Sequence, residues 1–354
     1  MRLEQVDYAE LYVGNSLQSA HFYRTALGFQ AVAYSGPETG VRDRVSYLMK
    51  QGDVKLLLTS PLGSGGPIAR HLNVHGEGVR DIALTVPDAR AAFDIYTERG
   101  AKPLVSPHVT EDEHGQMVSA TVGTFGDTVH TLVERKGYDG LLPGFRECQP
   151  RGWRQNGLEA IDHFAAGVEP GGVSRWAEFY EKVFGLRLSL VEETTTGYSS
   201  MNSKVVQTED GGLIFVFVEP GPGKRKSPIQ EYLTFYEGEG VHHIALSCSD
   251  IVVSVRSLRD RGLDFTCTPS TYYETLTERV GEIKEDVRSL SELGILVDRD
   301  EWGYLLQIFS QPVQGRPTFF YEIIQRIGAR GFGSGNVKAL FEAIERAQLL
   351  RGNA

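Results

Sequence analysis

The chain has 354 residues, 41% of them apolar and 23% charged, and a net charge of −10. That length exceeds what one hydrophobic core usually serves and predicts two domains; the composition excludes a disordered chain. The acidic balance argues against a nucleic-acid partner, which would need clustered Lys and Arg. Cys148, Cys248 and Cys267 are far apart and lack CxxC spacing, so neither a disulfide framework nor a zinc–thiolate site is expected. The opening MRLEQVDYAELYV reads as neither a secretory nor a transit signal. No apolar run approaches the roughly 20 residues of a membrane span, so a cytoplasmic protein is expected.

In chain order, residues 6–13 alternate as a strand does, and residues 15–27 carry apolar side chains at helical spacing up to Gly28. Residues 41–60 read as a β-meander. IALTV (82–86) is a strand, and a helix from Asp88 to Arg99 follows, with Asp88 at the N-cap and Gly100 at the stop. GYDGLLPGFRECQPRGW is rich in Gly and Pro, as a boundary should be. The pattern then starts again: a strand around IDHFAAGV (161–168), a meander over 198–219, IALSC (244–248), and a helix from Asp250 to Arg261.

The halves share words as well as pattern. VDYAELYV (6–13) resembles IDHFAAGV, HFYRTALGF (21–29) resembles EFYEKVFGL (178–186), and GEGVRDIALT (76–85) matches GEGVHHIALS (238–247). DEHGQMV (112–118) resembles DEWGYLL (300–306), and TLVER (131–135) resembles EIIQR (322–326). Collinear similarity of this kind predicts a duplication. The expected domains are 1–140 and 158–330, joined by a linker over 141–157. Each is an α+β unit of repeated βαβββ elements with a curled mixed sheet. Residues 331–354 add an apolar-faced helix with no copy in the first half.

The halves part company at three polar positions. The second has His163, His243 and Glu322 where the first has Tyr8, Asp81 and Thr131. Glu322 stands in an apolar strand, where an unpaired carboxylate is costly to bury, so something cationic should meet it. Two histidines and a carboxylate from three strands are a ligand set that suits Fe(II) with open positions. Taken singly, each has an ordinary reading as a hydrogen-bonded residue, and Glu322 could pair with Arg326; the case rests on conjunction. Adjacent strand residues face opposite ways, so His242 and His243 are not both expected to ligate one ion, and phase picks His243.

At these residues the sequence resembles the family of 4-hydroxyphenylpyruvate dioxygenase and 4-hydroxymandelate synthase. The resemblance is densest in IDHFA, MNSKVVQ, IQEYL, GEGVHHIAL, LGILVDRDEWGYLLQIFSQPVQGRPTFFYEIIQR and GFGSGNVKALFEAIE. It implies two tandem vicinal-oxygen-chelate (glyoxalase-like) domains, the first a degenerate, metal-free copy, and a C-terminal gating helix. It implies Fe(II) held by His163, His243 and Glu322, with an aromatic 2-oxo acid and O2 as substrates. A homodimer or homotetramer is expected, with no membrane partner. The family's pocket aromatics fall on Phe309 and Phe332, and its polar pocket residues on Ser203, Gln230 and Gln307.

Three pocket positions depart from the family. The dioxygenases carry Pro-Ile-Asn-Glu-Pro where this chain has Val216 to Pro220, so the asparagine is Val218. They carry Ser-Gln-Ile-Gln where this chain has Ser227 to Gln230, so the first glutamine is Pro228. Both branches carry Val-Gln-His where this chain has Val241, His242 and His243. Ring hydroxylation to homogentisate is the expected outcome. Benzylic hydroxylation, as in the synthase, or another 2-oxo acid is the alternative. A metal-free binding protein and an extradiol-type dioxygenase are rivals. The 79 positions from His243 to Glu322, against 50 from Asp81 to Thr131, mark an insertion over 270–294 that favours the oxo-acid branch.

Overall fold

The computed structural model describes residues 2–149 and 156–353. The first half runs β1 (Gln5–Tyr12), α1 (Ser16–Thr25), β2 (Gln30–Ser35), β3 (Arg44–Gln51), β4 (Val54–Pro61), α2 (Gly66–His75), β5 (Gly78–Thr85), α3 (Ala89–Glu98), β6 (Lys102–Asp112), β7 (Gly115–Gly123), β8 (Val129–Glu134) and β9 (Arg146–Glu147). The second runs β10 (Leu158–Gly167), α4 (Gly172–Phe184), β11 (Arg187–Thr195), β12 (Ser200–Gln207), β13 (Ile214–Gly221), α5 (Pro228–Tyr236), β14 (Gly240–Cys248), α6 (Ile251–Asp260), α7 (Thr271–Glu274), α8 (Leu276–Val280), α9 (Val287–Leu293), β15 (Leu296–Arg299), β16 (Tyr304–Phe309), β17 (Phe320–Ile327) and α10 (Ser334–Leu350).

Each half is one mixed sheet of two βαβββ units. The strand order is β6-β7-β8-β5-β1-β4-β3-β2-β9 in the first and β11-β12-β13-β10-β14-β17-β16-β15 in the second. Read from opposite ends, the two orders are the same apart from β9. In both, the first strands of the two units pair antiparallel at the centre, β1 with β5 and β10 with β14. The helices α3 and α6 start as the sequence predicts: Asp88 and Asp250 accept from the N–H groups of Ala91 and Val253, which satisfies a donor that the first helical turn leaves free. The predicted insertion is α7, α8 and α9.

Part of the expected linker is built into the first sheet. β9 pairs with β2, and Leu142 is buried with Leu48 and Leu57, Phe145 packing beside them. Residues 150–155 of that linker lie outside the described residues. The halves share one continuous core. Tyr180 of α4 donates to Nε2 of the buried His130 on β8 at 2.7 Å, and His130 Nδ1 donates to Ile82 O at 2.8 Å. Among the described residues, no helix is long and apolar enough to cross a membrane.

Candidate metal centre and substrate cavity

Strand register explains how distant residues meet. His163 on β10 lies opposite Ala245 of β14, and Ala245 lies opposite Glu322 of β17. His243 is two residues before Ala245, so it shares that face. The three side chains therefore surround a methyl group. Glu322 Oε2 is 3.4 Å from His163 Nε2 and 3.5 Å from His243 Nε2, and one ligand atom from each residue lies within 4.8 Å of the others. The first half keeps the same register: Tyr8 lies opposite Ala83, and Asp81 opposite Glu10. There, Asp81 accepts from Thr131 N at 2.9 Å and from Thr131 Oγ1 at 2.5 Å, with Thr121 Oγ1 3.1 Å from the same hydroxyl.

The electrostatics are those of a site that attracts positive charge. Burial alone would push the Glu322 carboxyl up, yet His163 and His243 hold it down at about 2. Burial opposes charge on His163 too, but Glu322 in front and Asp162 behind raise its imidazole to about 9. His243 has no carboxylate behind it and is pushed down by burial. The cation predicted to meet Glu322 is the His163 ring. Arg326 turns elsewhere, to Asp162, at 2.7 and 2.9 Å.

A chain of hydrogen bonds sets the donor atoms. Asp162 accepts from His163 Nδ1 at 2.8 Å, which leaves Nε2 facing the centre as the atom that would donate to a metal once its own proton is displaced. Gln307 Nε2 donates to Glu322 Oε1 at 2.7 Å, leaving Oε2 free to face the histidines. Asn336 of α10 donates to Gln307 Oε1 at 2.9 Å, and the Tyr272 hydroxyl, from the insertion, donates to Asn336 Oδ1 at 2.7 Å. Two imidazole nitrogens and a carboxylate oxygen, with His163 and Glu322 fixed from behind, fit an Fe(II) ion with open positions.

Asp162 and Arg326 escape the sequence comparison because both halves have them. Asp7 and Arg135 form the matching pair, at 2.8 Å. A feature common to a copy with the donors and a copy without them reads as architecture. Only the His163 contact gives Asp162 a second task.

The donors open into a cavity. Ser203, Val218, Pro228, His242, Gln307, Phe309 and Phe332 line it, as do the α10 side chains Val337, Leu340, Phe341 and Ile344. His242 lines the cavity beside His243, as its place among the pocket positions predicts, although strand alternation alone would turn it away. The cause is a β-bulge: the partner of Ala165 is His243, that of Ala166 is Val241, and His242 is the extra residue that breaks the alternation. The Nδ1 atoms of the two rings are 3.2 Å apart. Gln230 needs correction, since it does not line the cavity. It sits two residues beyond Pro228 in α5, and two residues turn a helix by roughly 200°; its N–H instead meets the Ser227 cap at 3.1 Å.

The Glyoxalase/Bleomycin resistance protein/Dioxygenase superfamily model matches residues 5–134 and 160–308. The 4-hydroxyphenylpyruvate dioxygenase of Dictyostelium discoideum is 42% identical to this chain over 99% of it and 100% of the relative. The chain belongs to the 4-hydroxyphenylpyruvate dioxygenase family. The Aspergillus fumigatus dioxygenase is 40% identical over 98% of this chain and 93% of its own length. A triply substituted 4-hydroxymandelate synthase of Streptomyces coelicolor superposes with a TM-score of 0.89 at 39% identity, covering 98% of this chain and 100% of that one. The dioxygenase family and the synthase thus share this fold across nearly the whole chain.

Proposed function

We propose that this chain is an Fe(II)-dependent dioxygenase that takes 4-hydroxyphenylpyruvate, or a close aryl analogue, with O2, and yields homogentisate and CO2. The observation that carries the reading is the convergence of His163, His243 and Glu322 at the edge of one apolar, aromatic-lined cavity. These three would hold the iron, which when bound activates O2 and anchors the oxo-acid group of the substrate. Substrate and O2 together balance product and CO2. The substrate's own oxo-acid group supplies the electrons, so no separate reductant enters.

The remaining roles belong to the protein. Asp162 fixes the tautomer of His163, and Gln307 fixes the carboxylate of Glu322. Phe309 and Phe332 offer rings to the substrate's ring, and α10 serves as the gate that keeps water out. Metal-free binding is the weaker rival, because burying these donors without an ion serves no binding purpose.

A second reading, benzylic hydroxylation to 4-hydroxymandelate, draws on Val218 and Pro228, which put apolar surface where the dioxygenases carry amides. The two products are isomers, so mass alone does not separate them. Iron-loaded protein incubated with 4-hydroxyphenylpyruvate under oxygen, with products resolved by chromatography against standards, decides between them. Absence of both products, together with Fe(II) binding that survives His243→Ala, would sink the whole reading.

A further inference from the structure

The first half carries a second set of metal-type donors, sharing no residue with Tyr8, Asp81 or Thr131. HLNVH (71–75) places His71 and His75 four residues apart on α2, on one helix face. Asp127, between β7 and β8, completes a group whose ligand atoms lie within 4.8 Å of one another.

Hydrogen-bond accounting leaves this group short of a positive charge. His75 Nδ1 is 2.6 Å from the backbone carbonyl of Tyr236. A carbonyl only accepts, so Nδ1 carries the proton. Nε2 then points at Asp127 Oδ2, 3.1 Å away, and a carboxylate also only accepts. Either a second ring proton or a cation must lie between them. His71 favours the cation. Its residue is only 6% exposed, and both of its ring nitrogens are out of solvent without a hydrogen bond. Its ring centroid is 4.7 Å from that of His75. A protonated His75 would leave the His71 lone pair unsatisfied, at a cost of about 1–3 kcal/mol. A metal ion would take that lone pair.

We propose that His71, His75 and Asp127 form a second site for a divalent transition-metal ion of the zinc class, with water as the fourth ligand. Bonds of roughly 2.0–2.1 Å set tetrahedral ligand atoms roughly 3.3 Å apart. The Nε2–Oδ2 pair is already there, and the His71 ring closes from no more than 4.8 Å. This donor set also suits Zn(II), which stands above ferrous iron in the affinity order of divalent ions, so Zn(II) is the probe ion. Asp127 is 63% exposed along its side chain, which gives the ion a way in. The site lies where α2 meets the second half. His75 stacks on Tyr236 of α5 with centroids 4.5 Å apart, and Arg316 donates to the carbonyls of Val74, Asn73 and Phe235. An ion there staples the end of α2, which is tied to α5, to the β7–β8 turn.

The test is metal stoichiometry. Chelator-stripped full-length protein is loaded with Zn(II), desalted and assayed for bound metal by mass spectrometry, with circular dichroism as the check on folding. Wild type is expected to hold two ions per chain. Asp127→Asn and His71→Phe are expected to hold one, His243→Ala one, and the Asp127→Asn/His243→Ala double variant none. The melting temperature of His243→Ala should rise with Zn(II), and that rise should vanish in the double variant. A wild-type count that Asp127→Asn and His71→Phe leave unchanged overturns the proposal, and His75 and Asp127 are then an ordinary imidazolium–carboxylate pair. Failure of the iron-site reading looks different: His243→Ala, and not Asp127→Asn, would leave the count unchanged.

Discussion

Asp162→Asn separates two jobs that one residue performs. Asp162 binds Arg326 as Asp7 binds Arg135, and in addition accepts from His163. Asp7 is held by Lys55 and Arg135 at 2.8 Å each and touches no histidine. Asp7→Asn is therefore an internal control for the structural job. Each substitution replaces a largely buried charge-assisted bond with an amide whose NH2 faces a guanidinium, so each should cost about 2–3 kcal/mol of stability. Metal affinity should split them. In Asp162→Asn the new amide oxygen can still accept from His163, but without its charge, and hydrogen bonds to charged groups are about twice as strong as neutral ones. Loss of such an outer partner typically weakens metal binding about 10–100-fold, or roughly 1.4–2.8 kcal/mol at 1.4 kcal/mol per decade. Anaerobic Fe(II) titration against a competing chelator measures it. Asp162→Asn should show the loss and Asp7→Asn should stay within about twofold of wild type, the tolerance being well under one decade. Equal affinities in the two folded variants would refute the orienting role of Asp162.

Three further outcomes follow from the same geometry. Ala245→Leu should fill the space between the three donors and abolish iron binding, whereas Ala83→Leu should cost only overpacking energy of about 1–3 kcal/mol; metal content after desalting tells them apart. Val218 packs among Met201, Ile229, Tyr232 and Phe341, so Val218→Asn should cost about 1–3 kcal/mol in a denaturant melt. The same variant should raise the kcat/KM preference for 4-hydroxyphenylpyruvate over phenylpyruvate, and an unchanged ratio would count against Val218 as a specificity position. Burial pushes His130 down to about 4 from its ordinary 6.5, partly offset by its bond to Ile82 O. The unfolded chain therefore takes up a proton first as pH falls. Stability is full above about 6.5 and is lost towards 4, by up to about 3 kcal/mol. His130→Phe should flatten that slope in melts at pH 7 and pH 5.

Much of this was legible in the sequence because the chain is written twice. Matching VDY with IDH, GVRD with GVHH, and TLVER with EIIQR put Tyr8, Asp81 and Thr131 in the registers that His163, His243 and Glu322 occupy in the other sheet. What comparison could not show falls into three kinds. Where the copies agree, as at Asp162 and Asp7, no contrast draws the eye. Where local geometry breaks the strand period, as at the His242 bulge, counting residues gives the wrong face. Where a segment has its own helical phase, as at Gln230, alignment to a relative does not say which side faces the cavity. The HxxxH spacing of His71 and His75 was readable, but only the fold brings Asp127 to it.

Both sheets keep the small Ala83 or Ala245 at the middle of the cluster, and both keep the Asp–Arg brace beside it. The parts that hold the position are thus independent of the parts that bind there. A lineage that duplicates such a fold can exchange three side chains on one face without rebuilding the sheet beneath them. Chemistry in this architecture is a replaceable insert in a frame inherited whole, and each half records one choice of insert.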